Sequence, residues 1–211
     1  QFETEVKKLM KNVLKNHRRI IFNGDGYSIE WIKEAEKRGL PNYPSTVDAM
    51  PHYTDEKNMR IFKKFGIYNE NELKARTEVL LEKYSKTIRI EARTMIQMAR
   101  KQLLPATLEY IHKLCDAISI KEHIDIHSTV ERKTAEKLND LAEAFYISIE
   151  KLEILVNKAC EIKDVPLQAR YFHDSVLSEM ERMRTTSDTI ERIIPTDQWP
   201  IPDYSEMIYN V

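Results

Sequence analysis

Glycine is scarce in this chain of 211 residues and is confined to its first third. Glycines occur only at Gly24, Gly26, Gly39 and Gly66, and residues 67–211 contain none. Because glycine supplies the left-handed backbone of tight turns and phosphate-binding loops, its absence excludes a Gly-rich nucleotide loop after residue 66. Long helices joined by a few short links are the structure that needs glycine least.

The chain also has few cysteines, no long apolar run and almost no net charge. The two cysteines, Cys115 and Cys160, lie in apolar-periodic segments, which is typical of reduced thiols in the cytoplasm rather than of a disulfide framework. No run approaches the roughly 18 consecutive apolar residues of a membrane helix. The 33 basic and 34 acidic side chains leave a formal charge of -1, which favours neither nucleic acid nor an anionic membrane. We therefore expect a cytoplasmic protein with no nucleic-acid and no membrane partner.

Residues 1–66 predict short helices joined by loops. One apolar stripe at helical spacing comprises Phe2, Val6, Leu9, Met10, Val13 and Leu14. A turn at residues 23–26 follows, then Ser28 offers an N-cap to a short helix that Gly39 ends. Two further helix starts are predicted at Ser45 and at residues 54–56. Because the chain begins with Gln1 rather than Met, we expect it to be a piece of a longer protein.

A first long helix is predicted to start at Asn69, with Glu72 completing a capping box. Its apolar or small positions are Leu73, Leu80, Tyr84, Ile88, Ala92, Met95, Ala99, Leu103, Leu108, Ile111, Cys115 and Ile118. Pro105 interrupts this series, and it predicts a kink or two abutting helices within one rod.

Two more long helices are predicted after a linker. Ser128 and Glu131 form a second potential capping box. A heptad series follows at Leu138, Leu141, Phe145, Ser148, Leu152, Leu155, Ala159 and Ile162. The third helix starts near Asp164 and stops before Pro195, with an apolar series at Phe172, Val176, Met180, Met183, Ile190 and Ile193.

The sequence thus predicts an all-α fold, a bundle of three long antiparallel helices preceded by short helices and loops. We divide the chain into residues 1–66, a terminal helix plus a connector of short helices and loops; residues 67–194, the long-helix bundle; and residues 195–211, a C-terminal tail. The tail is either pinned by Trp199 and Tyr204 or disordered.

Two clusters of histidine and acidic residues carry ligand types for a metal ion. Glu109 and His112 have the spacing that places two ligands on the same side of a helix in di-iron bundles. The second cluster comprises Glu122, His123, Asp125 and His127. Neither includes a second Glu-x-x-His or a cysteine, so a solvated helical pair and a helix connection are favoured.

The remaining motifs also favour a structural role of the chain over a catalytic one. The pair Gly24-x-Gly26 lacks the third glycine of a dinucleotide fingerprint, and no strand-helix-strand unit follows it. The basic helix between Lys7 and Arg19 is diluted by acidic residues, and no Gly-x-Ser-x-Gly motif or Cys/His nucleophile signature occurs. We therefore assign no catalytic, cofactor-binding or metal-binding residue.

Four segments carry a resemblance to a known family across nearly the whole chain. They are Arg19–Ser28, Glu34–Leu40, Tyr84–Ile88 and Leu103–Ala106. Together they resemble the C-terminal part of type III glutamine synthetases. The resemblance implies an enzyme that makes glutamine from glutamate, ammonia and ATP, through a γ-glutamyl phosphate held by divalent metal on a catalytic sheet upstream.

None of that family's catalytic residues transfers to this chain, because their motifs are missing from it. The resemblance implies that residues 1 to about 19 are the last helix of the catalytic part, that a connector runs to residue 66, and that an added helical domain follows. ATP and Mg²⁺ are implied for the parent enzyme, and no cofactor for this fragment. The stacked hexameric rings of the family imply packing against the chain's own catalytic domain and neighbouring subunits of a homo-oligomer.

Two other functions are left open by the residues. A free-standing helical-bundle module would bind a metal or small ligand at Glu109, His112, His123 and His127. A self-sufficient enzyme would form glutamine with this chain alone, and we expect no such activity.

Overall fold

The computed structural model of the chain describes residues 2–202 and 204–209. Every regular element in these residues is a helix or a helical turn, so the predicted all-α class is confirmed. None of the described helices is both long and apolar enough to cross a membrane. The chain divides into two compact units, Gln1–Ala49 and Met50–Val211. The division into residues 1–66, 67–194 and 195–211 stays a prediction.

The N-terminal unit contains three helices and one 3₁₀ turn. They are α1 (Phe2–Asn16), the turn Arg18–Ile20, α2 (Ile29–Lys37) and α3 (Thr46–Ala49). The predicted cap of α2 is confirmed, because the Ser28 hydroxyl accepts the Trp31 N–H at 3.2 Å. Gly39 ends the same helix with a φ of +72°, a left-handed conformation that favours glycine.

The C-terminal unit begins with short elements and continues as three long rods. The short elements are a 3₁₀ turn at Met50–Thr54 and α4 (Glu56–Lys64). The first rod comprises α5 (Glu70–Met98), a π-helical segment Ala99–Leu103 and α6 (Leu104–His123). The second rod is α7 (Thr129–Glu161). The third rod comprises α8 (Val165–Tyr171), a π-helical segment Phe172–Val176 and α9 (Leu177–Glu191), and a 3₁₀ turn Thr196–Gln198 and α10 (Tyr204–Tyr209) follow it.

Side-chain links show that the first and second rods are antiparallel. Lys121 pairs with Glu131 near the link between these rods. Farther along, the Arg100 guanidinium contacts Glu150 at 2.5 Å. The residue number therefore falls along the first rod as it rises along the second.

The second and third rods are antiparallel by the same criterion. Next to their link, the Gln168 side-chain amide donates to the Ala159 carbonyl at 3.0 Å. Farther from the link, the Lys151 ammonium lies 2.7 Å from the Glu179 carboxylate. The predicted bundle of three long antiparallel helices is thus present.

The core of the C-terminal unit draws buried side chains from all three rods. The largest fully buried ones in the rods are Phe145, Phe172, Leu73, Leu138, Ile149, Leu152, Met183, Ile190, Val156, Val176 and Thr107. Of the predicted heptad residues of the second rod, Leu138, Phe145, Ser148, Leu152 and Ala159 are buried, and Ile149 and Val156 beside them are buried as well. Leu141, Leu155 and Ile162 are half-buried. The buried face of this rod is therefore wider than a two-stranded seam, because α7 packs against rods on two sides.

The predicted apolar face of α5 is wrong at one position and incomplete at two. Leu81 is buried and Leu80 is exposed, the reverse of the prediction. Thr77 and Ser85 are buried on the same face, where their hydroxyls donate to the carbonyls four residues earlier, each at 3.0 Å. A hydroxyl satisfied by its own helix adds little cost to a buried position, and hydrophobicity patterns therefore miss it.

Pro105 is accommodated by the π-helical segment that precedes it. A proline inside an α-helix lacks an N–H and clashes with the carbonyl four residues before it. Here the Leu104 N–H bonds the Ala99 carbonyl, five residues back, so the helix widens just before the proline. The extra residue in this turn changes the side of α6 on which each later residue lies. Leu108 is exposed while Thr107 is fully buried, which corrects the predicted series beyond Pro105.

The two predicted capping boxes differ in outcome. At Asn69 the box is confirmed, because the side chains of Asn69 and Glu72 each accept the other's backbone N–H, at 2.9 and 2.8 Å. Ser128 makes no side-chain cap bond, and its φ and ψ of -113° and 29° are not the extended conformation of a capping residue. Its predicted partner Glu131 instead binds Lys121 across the link.

The segment after the third rod is anchored by Trp199. This side chain is buried in the core, and the neighbouring Gln198 amide oxygen accepts a hydrogen bond from Lys113 at 3.1 Å. Pinning by Trp199 is therefore the alternative that the structure supports for residues 195–202. The side chain of Tyr204 lies outside the described residues.

Replacing Phe145 by alanine should destabilise the C-terminal unit strongly. Phe145 is 0% exposed, and removing its ring would leave a cavity between the rods, at a cost of about 3–5 kcal/mol. The adjacent Tyr146 is 54% exposed, so Tyr146→Ala is the matched control and should change stability by no more than about 0.5 kcal/mol. Urea unfolding followed by circular dichroism measures both values. Equal losses would contradict the buried position of Phe145.

Replacing Arg100 by glutamine should reduce stability at neutral pH and much less in acid. The Arg100 guanidinium hydrogen-bonds Glu153 and lowers the pKa of that carboxyl below its ordinary value of 4.5. A carboxyl whose pKa is lower in the folded state stabilises above its unfolded pKa, and this contribution disappears as pH falls through the folded pKa. Because the pair is partly exposed, we expect a loss of at most about 1 kcal/mol near pH 7.

Urea unfolding at neutral pH and below pH 4.5 measures this difference. Lys86→Gln is the control, since it breaks an exposed pair with Glu82 on the same helix and links no second rod. A difference between Arg100→Gln and the unsubstituted chain that is equally large at both pH values would contradict the assigned role of the pair.

Candidate functional site

The candidate metal ligands considered from the sequence do not converge within the described residues. Glu109 pairs with Lys113 at 2.9 Å, and His112 lies 3.6 Å from Asp116 on the same helix. Glu122 pairs with Arg132 across the link between the first and second rods.

The other candidate ligands, in the second cluster, do not come together either. His123 Nδ1 lies 2.7 Å from the Ser119 carbonyl, and Asp125 and His127 are exposed on the link. Within residues 2–202 and 204–209, no group of three or more His, Cys, Asp or Glu side chains could hold a metal ion. The ligand-binding module at Glu109, His112, His123 and His127 stays a prediction.

Gly24, the first glycine of the Gly24-x-Gly26 pair, serves packing. A Cβ atom on Gly24 would lie 2.7 Å from the ring of Phe22, closer than carbon atoms approach. Gly24 therefore lets the Phe22 ring lie against the backbone. The turn is closed by Asp25, whose side chain accepts the Tyr27 N–H at 2.9 Å and whose carbonyl accepts the Ser28 hydroxyl at 2.8 Å.

Two of the four segments that carry the family resemblance meet at Arg38. One guanidinium nitrogen of Arg38 donates to the carbonyls of Arg19 and Ile21, at 2.9 and 2.6 Å. The Nε atom donates to the Glu34 carboxylate at 2.6 Å. This hydrogen bond lowers the pKa of Glu34 and keeps the carboxylate charged. Arg38 thereby ties the segment after α1 to α2.

Aromatic packing completes this junction. The rings of Phe22 and Trp31 have centroids 4.7 Å apart with a tilted arrangement. The Arg38 guanidinium lies 5.8 Å from the centroid of the Trp31 ring, within cation–π range. The resembling residues therefore build a structural junction, in which Arg38 donates to two backbone carbonyls and to the Glu34 carboxylate.

The apolar stripe of α1 is the most exposed hydrophobic feature of the chain's N-terminal unit. No residue of α1 is buried, and Phe2 and Leu9 are 82% and 64% exposed. The rest of the stripe, as predicted from sequence, is Val6, Met10, Val13 and Leu14, all exposed. Burying a side chain of this size stabilises by about 1.5–3 kcal/mol relative to leaving it in water. A contiguous exposed stripe of this kind is a candidate interaction surface.

The opposite face of α1 is basic and solvated. Its lysines are Lys7, Lys8, Lys11 and Lys15, and Lys8 pairs with Glu5 at 2.8 Å. Apolar and basic faces on one helix give a single side on which a protein partner can dock. We name the six apolar side chains the α1 stripe.

One buried carboxylate was missed by sequence reasoning. Glu179 is 3% exposed on α9 and contacts Lys151 of the second rod at 2.7 Å. Its position, three residues after Val176 and four before Met183, lies on the predicted apolar stripe. This spacing is the one feature of the sequence that indicates burial of Glu179, and it does not identify Lys151 as its partner.

Comparison with known proteins gives the family of the chain. The family model of the glutamine synthetase C-terminal domain matches residues 5–122. A glutamine synthetase of Butyrivibrio fibrisolvens is 32% identical over 213 aligned residues, covering 100% of this chain and 30% of that protein.

A type-3 glutamine synthetase of Dictyostelium discoideum is also 32% identical, covering 98% of this chain and 29% of that protein. A glutamine synthetase of Bacteroides fragilis is 29% identical over 96% of this chain. The chain thus spans about 30% of the length of these relatives. The resemblance to type III enzymes predicted from the sequence is confirmed, and the chain belongs to the glutamine synthetase C-terminal domain family.

Proposed function

We propose that this chain is a structural, non-catalytic part of a type III glutamine synthetase, and that it packs against the catalytic part and neighbouring subunits. The exposed α1 stripe is the observation that carries this proposal. The parent enzyme would make glutamine from glutamate, ammonia and ATP in the cytoplasm.

The occupant of the α1 stripe is the part of the enzyme that precedes this chain. The relatives are about three times as long as the aligned region, so most of each enzyme lies outside it. A partner in the same polypeptide has a high effective concentration, so the stripe needs no great affinity of its own. The junction at Arg38 fixes the segment that follows α1 and so limits how far the helix can move from α2.

The chemistry of the parent enzyme belongs to its upstream part in this proposal. ATP and Mg²⁺ would bind there, because the motifs that hold phosphate and metal in this family do not occur in the present sequence. Several charged side chains of the C-terminal unit pair with one another between or within helices, as in the contacts of Arg100 and Lys151. Such pairs join the helices of the bundle to one another, which is consistent with a structural role.

A second exposed apolar patch supports packing against a neighbouring subunit. It lines a groove of about 380 Å³ between α6 and α7, where Leu108, Tyr146 and Ile147 are all more than half exposed. Apolar and aromatic side chains of this kind are enriched at subunit interfaces. The groove is formed by two rods of one rigid bundle, which suits a repeated contact in a homo-oligomer.

Charging the α1 stripe should disrupt the full-length enzyme and spare the isolated chain. The double variant Leu9→Asp/Val13→Asp places two charges on the docking face, where burial is costly. We expect loss of assembly and of glutamine formation in the full-length enzyme, and no loss of stability in the 211-residue chain. Light scattering coupled to size exclusion and an assay of glutamine formation measure these effects.

The control for this variant lies on the opposite face of α1. Lys11→Asp changes charge in the same helix without touching the stripe, and assembly and activity should survive. A full-length Leu9→Asp/Val13→Asp enzyme that assembles and works normally would show that the stripe does not dock on the catalytic part.

Charging the groove between α6 and α7 should weaken contacts between subunits. Ile147→Asp, at a position that is 64% exposed, leaves the bundle core intact and should shift the full-length enzyme toward smaller oligomers. Lys137→Asp, exposed elsewhere on α7, is the control. Unchanged mass for both variants in light scattering would remove this groove from the interface.

A further inference from the structure

A polar cavity of about 470 Å³ lies between the first and second rods, beside the first π-helical segment. It is separate from the α1 stripe and from the groove between α6 and α7. Its lining residues are Arg93, Ile96, Gln97, Arg100, Lys101, Glu153, Val156 and Asn157. Three of the eight are cationic and one is anionic, so the cavity is electropositive.

The three cations of the cavity differ in their partners. Arg100 donates to the carboxylates of Glu150 and Glu153, at 2.5 and 2.6 Å, so this group of three side chains carries one net negative charge. Arg93 and Lys101 have no carboxylate within 4.0 Å in the described part of the chain. Two positive charges therefore remain on the wall of the cavity without a partner of opposite sign.

The free donors lie on one side of the first rod. Arg93 and Gln97 are four residues apart on α5, which places them above one another, and Lys101 follows in the π-helical segment. Asn157 faces them from the second rod, and no hydrogen bond of its amide, or of the Gln97 amide, occurs within the described residues. The cavity thus offers two cations and two amide groups to a ligand.

The floor and one wall of the cavity are rigid. Ile96 and Val156 are buried core residues, and they form an apolar floor beneath the charged groups. The Arg100 bridge to Glu150 and Glu153 crosses from one rod to the other and fixes their separation. The side chains of Arg93, Gln97, Lys101 and Asn157 are exposed beside this frame, so an anion can reach their donors from solvent.

We propose that this cavity binds a small phosphate-bearing anion, with Arg93 and Lys101 as its charged donors and Gln97 and Asn157 as its amide donors. A guanidinium group fits phosphate oxygens with two parallel hydrogen bonds, and an ammonium group adds a point charge. A cation would be repelled by the two unpaired charges. The volume admits a diphosphate group, and the proposal does not depend on how α1 docks.

Titration of the 211-residue chain with inorganic pyrophosphate at low ionic strength tests this site. Isothermal calorimetry should show saturable binding at one site. The double variant Arg93→Gln/Lys101→Gln should bind at least about tenfold more weakly, because both charge-assisted contacts are lost. Gln97→Glu should also weaken binding, since it places a negative charge among the donors.

The matched control is Lys133→Gln/Lys137→Gln, which removes two positive charges from exposed positions of α7 outside the cavity. It should bind pyrophosphate as the unsubstituted chain does. Equal weakening by both double variants would mean that only overall charge matters and would overturn the proposal, as would the absence of saturable binding. Circular dichroism confirms that each variant is folded.

A second titration with ATP distinguishes two sources of the same chemistry. Binding as tight as that of pyrophosphate would support a site for the phosphate groups alone, and tighter binding would support a nucleotide whose base or ribose adds contacts. ATP binding that survives Arg93→Gln/Lys101→Gln without loss would place the ligand elsewhere and would contradict the assignment.

Discussion

Burial of α7 on two sides is the interaction on which the C-terminal unit depends. Its apolar face packs against the first rod and the third rod, with Phe145 and Leu152 fully buried. Small residues such as Ser148 and Ala159 lie on the same face and allow the neighbouring backbones to approach closely. Without this helix, the other two rods would each expose an apolar face that no short element could cover.

Ion pairs at the edges of α7 select one register among several that apolar packing would allow. Arg100 bridges to Glu150 on one side, and Lys151 reaches the buried Glu179 on the other. A shift of one helical turn would remove Lys151 from the buried Glu179 and leave it only the more distant Arg182, at 3.7 Å on its own helix, which is more costly than losing an exposed pair. Hydrophobic burial thus stabilises the bundle, while these charges specify how its rods align.

The α1 stripe and the apolar face of α7 have the same sequence pattern, but only the face of α7 is buried. Both are apolar series at helical spacing. The face of α7 packs against the other two rods, whereas no residue of α1 is buried. The pattern predicted an amphipathic helix correctly in each case, and it contains no information about where the partner lies. The cavity at Arg93 and Lys101 was not predicted, because its residues come from two rods whose pairing only the packed bundle defines.

The sequence by itself determined the helical class, the order of the long helices, several caps and the family. These features depend on contacts within a few residues, such as the cap of α5 at Asn69, or on idiosyncratic segments around Arg38. Tertiary structure decided which residues of each helix are buried. The π-helical segment before Pro105 adds a residue to one turn and so rotates every later face, which buries Thr107 and exposes Leu108. No hydrophobic periodicity contains that rotation, because it follows from the way the helix accommodates Pro105.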